Sequence, residues 1–81
     1  MKAATKPQTV TTLRVYGIPH GLFEVRDGLV VLGTSQNEMM AVWSAVTAAE
    51  LMAKSGQTVR VVRFQDEIEI EEFVATPPGT H

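Results

Sequence analysis

Histidine occurs twice in this 81-residue chain, at His20 and His81, and neither has neighbours that would make it reactive. His20 lies between Pro19 and Gly21, where an imidazole could act as an isolated acid-base group or a pH-sensitive contact. An exposed loop side chain is the simpler role. A metal site at either histidine would need further ligands, and the sequence places none close by. Nucleophilic catalysis needs a hydroxyl beside a base that a third group orients. Ser44 and Thr47 fall within a helical stretch without such a base. Ser35 has a structural reading: Glu38 follows three residues later, which makes a Ser-x-x-Glu capping box. The six glycines, at 17, 21, 28, 33, 56 and 79, never group into a phosphate-cradling loop. The expectation is a protein that is not an enzyme and carries no cofactor or metal.

Carboxylates are the more telling groups. The formal net charge is -2, yet residues 66 to 72 hold Asp66, Glu67, Glu69, Glu71 and Glu72 with no base among them. The remainder has seven bases against four acids. A row of Glu67, Glu69 and Glu71, about 6.5–7 Å apart along a strand, would form an acidic ridge that could meet a basic target. The plainer role is to solubilise a strand face and guard an edge. Arg14, Tyr16, Arg60 and Phe64 could share a sheet face able to stack on bases and contact phosphates. The glutamates would lie on that same face and repel phosphate, so nucleic acid is a disfavoured partner.

The elements that carry these groups follow from periodicity. Leu13 and Val15 alternate against Thr12, Arg14 and Tyr16 between Thr11 and Tyr16, as in a half-buried strand, and residues 17 to 21 make a loop. Phe23 to Leu32 holds Asp27-Gly28 between two apolar runs, a hairpin signal. A two-residue turn there sets Arg26 opposite Leu29 and Val25 opposite Val30, and gathers Phe23, Val25, Val30 and Leu32 on a core face. Ser35 to Lys54 reads as a helix closed by Gly56, with Val42, Val46, Ala49 and Ala53 as its stripe and Met39, Ala45 and Met52 on the flanks. A second hairpin, Thr58 to Phe73 with a turn at Gln65-Asp66, pairs Arg63 with Ile68 and gathers Val59, Val61, Ile68 and Ile70. It also sets Arg60 opposite Glu71, an ion pair worth about 0.2–1 kcal/mol if exposed.

The fold class is therefore α+β: one domain over residues 9–74 in β-β-β-α-β-β order, a mainly antiparallel sheet with one helix packed on one face. Residues 1–8 and 75–81 are expected to be flexible tails. Whether the second hairpin returns to one edge of the first three strands or the other stays open.

Each element is more apolar than one buried face requires. Met40, Trp43 and Leu51 fall outside the helix stripe, and Leu22, Leu29, Val31, Val62 and Phe64 fall on the outward sheet face. A domain this short buries only about 60% of its unfolded surface, and with no cysteine it has no disulfide to staple it. Covering either of these two faces, the outward sheet face or the second helix side, would stabilise it, so the expected function is a protein-interaction module that self-associates as a homodimer or binds another protein. The alternative is a small regulatory or inhibitory protein whose acidic C-terminal hairpin binds a basic target. No leader or membrane span is evident, and a cytoplasmic location is the default expectation. The order of elements is similar to that of several short bacterial and phage domains and of the small RNase-H-like antitoxins, in which a strand meander precedes a helix. That likeness implies a fold and not an activity.

Overall fold

The computed structural model describes residues 10–79. Its elements are β1 (Val10–Ile18), β2 (Leu22–Asp27), β3 (Val30–Ser35), α1 (Glu38–Ala53), β4 (Thr58–Gln65) and β5 (Ile68–Ala75), with a short helical turn at Pro19–Gly21. The chain is an α+β domain with the expected element order. The expected tail 1–8 lies outside the described residues, and Ala75 closes β5 rather than opening a tail.

The five strands form one sheet in the order β3-β2-β1-β4-β5. β1 pairs antiparallel with β2 and parallel with β4, so the sheet is mixed, and β1 is its central strand. The open question of the second hairpin is thereby decided: the helix carries the chain past β2 and sets β4 against the free edge of β1. Apolar content explains this choice. Val59, Val61 and Val62 are all fully buried, and a strand apolar on both faces belongs in the interior of a sheet. β3 is left at one edge and β5 at the other.

Both hairpins turn one residue later than the sequence suggests. In the first, Asp27 pairs with Val30, so Gly28 and Leu29 form the turn. Gly28 takes a φ of 61°, and glycine at the first central position is the signature of a type II′ turn, which suits the twist of the flanking strands. In the second, Gln65 pairs with Ile68, and Asp66 and Glu67 form the turn with φ values of 52° and 68°. Two left-handed residues make a type I′ turn, here without the glycine that usually relieves it. Replacing Glu67 with glycine is expected to stabilise the protein by about 0.5–1 kcal/mol, because release of a left-handed glutamate outweighs the added chain entropy. Thermal unfolding checks this, and a lower melting temperature would refute it.

Each hairpin also contains a β-bulge. Arg26 pairs with Val31 but Val25 with Gly33, leaving Leu32 as the extra residue. Val61 pairs with Phe73 but Val62 with Glu71, leaving Glu72 extra. With the later turns, the bulges replace the expected pairings. Val30 and Leu32, expected on the core face, are exposed, as is Ile68, expected on one side with Val59 and Val61, whereas Val25 is buried and Phe23 packs against the core.

The helix also seats differently. Ala41, Ala45, Ala49 and Ala53 are its buried residues, and Val42, Val46, Ala48 and Met52 flank them. Alanines at this contact let the helix lie close to Leu13, Val15, Val25, Val59 and Val61, where valines would hold it off. Asn37, not Ser35, caps the helix: its Oδ1 accepts the Met40 N–H at 3.2 Å. Ser35 is taken up by β3, paired with Phe23, and Asn caps as well as Ser does. At the other end the Gly56 N–H donates to the Ala53 carbonyl at 3.0 Å, and a φ of 100° turns the chain out of the helix.

Candidate interaction surfaces

Three surfaces remain once the core is closed: the sheet face away from the helix, the outer side of α1 and the β3 edge.

The register places Arg14, Tyr16, Glu24, Arg26, Val62, Phe64, Glu69 and Glu71 on the sheet face away from the helix. Its charges neutralise one another. The Arg60 Nε donates to Glu71 Oε1 at 2.8 Å, and Glu69 lies 3.6 Å from both Arg60 and Arg14. The hydrogen bond to Glu71 holds the Arg60 guanidinium above its ordinary pKa, so this arginine stays charged at any working pH. Arg26 pairs with the buried Glu24, and its guanidinium sits 5.5 Å from the centre of the Tyr16 ring. Tyr16 in turn stacks on Phe64, with centroids 5.3 Å apart and planes at 18°.

The expected Arg60–Glu71 pair forms, although Arg60 lies opposite Val74 in the ladder; the bulge at Glu72 brings Glu71 within reach. Arg14, Tyr16, Arg60 and Phe64 do share a face, and Tyr16 and Phe64 spend their ring faces on each other. Three arginines face three glutamates there, which leaves no net positive field for phosphate. The acidic ridge is divided: Glu67 is in the turn, while Glu69 and Glu71 are paired with arginines. Val62, expected as an outward contact residue, is 0% exposed, and the ladder sets it between Arg14 and Glu71. Leu22 and Phe64 are half-buried.

The outer side of α1 is apolar and uncovered. Trp43 is 64% exposed, and Met39, Met40 and Leu51 are exposed to a similar degree. Met40, Trp43, Ser44 and Thr47 line a shallow depression there. Met40, Trp43 and Leu51 were expected on this side, but Met39, expected beside the buried stripe, joins them. At the start of the helix Glu38, Met39 and Val42 line a depression together with Arg63, Phe64 and Glu72. Arg63 and Glu72 pair there, beneath the start of the helix.

The β3 edge is the third surface. Leu29, at the hairpin tip, is 94% exposed, and Val30, Val31 and Leu32 are 60%, 47% and 47% exposed. Leu29 and Val31 were expected outside. Val30 and Leu32 are added because β3 is an edge strand, a position that strand order decides and local pattern cannot.

His20 is exposed in the Pro19–Gly21 turn, where it holds a φ of 71° ahead of Gly21 at 72°. Histidine is among the residues that tolerate this region. Among the described residues no group of three or more His, Cys, Asp or Glu is placed to hold a metal ion. No buried side-chain polar atom among them lacks a partner, and no described helix is long and apolar enough to cross a membrane. Compared with protein-family models, with curated proteins and with solved structures, the chain matches none.

Proposed function

We propose that this protein is a small non-enzymatic interaction module that functions as a homodimer. The observation that carries the reading is contiguous apolar exposure: Leu29, Val30, Val31 and Leu32 in one run of chain, and Met39, Met40, Trp43 and Leu51 on one helix side. Scattered apolar side chains are ordinary on a protein surface, but contiguous patches of this kind mark contacts. A domain of this length gains from such a contact twice, since covering apolar groups supplies binding energy and also stabilises the folded chain by mass action.

The acidic-hairpin alternative needs Glu67, Glu69 and Glu71 free for a basic partner. Glu69 and Glu71 already answer Arg14 and Arg60, which weakens that reading.

Light scattering on a sizing column, at two protein concentrations and at low and high salt, tests the proposal. A mass of twice the chain at both salt concentrations is expected, because apolar burial is insensitive to screening. A single-chain mass throughout would overturn it, and a dimer lost at high salt would transfer the contact to charged groups.

A further inference from the structure

The sheet has two edges, and they are built oppositely. β5 carries Glu69, Glu71 and Glu72 along its length, and charge on an edge strand deters pairing with strangers. β3 carries none: Leu29 to Ser35 reads Leu-Val-Val-Leu-Gly-Thr-Ser, without a charge or a proline. Its apolar side chains are exposed on both faces, with Val30 on the helix side of the sheet and Val31 on the side of Arg26. The helix lies near β3 yet leaves Val30, Val31 and Leu32 exposed, and Asp27, which closes the hairpin, lies on the neighbouring strand. Natural edges are blunted by charge, proline, bulges or a covering element. Of these devices β3 has only the bulge at Leu32.

We propose that β3 pairs antiparallel with β3 of a second copy across a two-fold axis, joining two five-stranded sheets into one of ten strands. The proposal rests on the self-association reading and specifies which surface performs it. A second copy fits this edge because a two-fold contact is self-complementary: every residue of the patch must tolerate the same patch. Leu29 to Ser35 does so, since no like charges meet and the valines and leucines of one copy pack on those of the other. The other pairings of these edges fail. β5 against β5 would set glutamates beside glutamates. β3 against β5 would bring those glutamates to a strand with no base, and as a head-to-tail contact it would propagate into a filament instead of closing. The Val31 backbone is available: in a two-residue hairpin the closing pair, Asp27 and Val30, is hydrogen-bonded, so the next residue turns its N–H and C=O outward.

The test uses the full chain and reads molar mass by light scattering. Val31→Glu sets a carboxylate opposite Arg26 within the monomer, but in the joined sheet it brings a carboxylate from each copy to an edge that carries no base. The parent is expected at twice the chain mass, Val31→Glu at half the parent's mass with an unchanged circular dichroism spectrum, and Trp43→Glu at the parent's mass. A parent dimer that survives Val31→Glu and dissociates on Trp43→Glu overturns the β3 pairing while leaving self-association intact. A parent that is monomeric at every concentration overturns both.

Cross-linking supplies a second readout should Val31→Glu fail to fold. The chain has no cysteine. A lone cysteine introduced as Val31→Cys or Leu32→Cys, whichever lies nearer the axis, comes within disulfide reach of its own copy in an antiparallel pair. A covalent dimer from one of these and none from Trp43→Cys is the expected result. The reverse pattern refutes the pairing.

Discussion

Replacing Leu13 with alanine is expected to cost about 2–5 kcal/mol, enough to unfold much of the population near body temperature. Leu13 is fully buried on β1, with Asp27 of β2 on one side and Val61 of β4 on the other, and it belongs to the cluster beneath the alanine stripe. A central strand held on both edges and packed under a helix cannot collapse into the vacated space, so the cavity penalty adds to the lost transfer energy. A domain of this length has a total stability of only about 4–12 kcal/mol at usual per-residue values. Urea unfolding checks the prediction, as a lower midpoint with an unchanged slope. A change below about 1 kcal/mol would show that the sheet relaxes around the gap and that Leu13 is not its centre. In the proposed homodimer only the folded chain would associate, so the same variant is expected to dissociate more readily on dilution.

Ala45→Leu is the second large effect, and it acts by crowding rather than by loss. Ala45 is fully buried at the middle of the stripe that seats α1 on the sheet. Three added heavy atoms there must lift the helix or force strained rotamers, at a cost of about 1–3 kcal/mol, or on the order of 10 °C in melting temperature. The matched control is Thr47→Leu on the exposed side of the same helix, where the substitution meets solvent and should change stability by about 0.5 kcal/mol or less. If the two variants melted alike, the helix would not be seated on its alanines. A further consequence concerns orientation: were Val42 and Val46 the seat, as the hydrophobic pattern alone suggests, Ala45 would tolerate leucine.

That contrast shows where a sequence reading of this protein succeeds and where it stops. Leu13 and Val15 are legible as core because strict alternation has one solution: one side in and one side out. The helix is legible as a helix but not in its rotation. With Met40, Trp43 and Leu51 as apolar as Val42 and Val46, the wheel offers several faces of similar hydrophobicity, and the choice falls to size. Close approach to a sheet selects alanine over valine, and that is a property of the gap, not of the stripe. The candidate contact residues divide in the same way. Leu29, Val31, Met40, Trp43 and Leu51 are exposed as expected, whereas Val62 is fully buried between two neighbouring strands, which no single-strand pattern reveals.

The hairpins make the point at the level of single residues. Asp27-Gly28 marks the first turn, yet the turn forms one residue later, because Gly28 at a φ of 61° serves the first central position of a type II′ turn as well as the second of a type I′. Each bulge then absorbs one residue, so alternation on one side of Leu32 or Glu72 does not carry to the other.

By itself the sequence determined what is local: the five strands, the helix, their order, and the acidic character of β5 beside an uncharged β3. These follow from side-chain period and turn chemistry, which act over a few residues. The tertiary structure alone decided that β4 joins β1, that β3 is left as a bare edge, which helix face goes inward, and that Arg14 and Arg60 neutralise Glu69 and Glu71. Those outcomes depend on which distant segments bury the most apolar surface together, a competition among whole arrangements of the chain that no window of sequence contains.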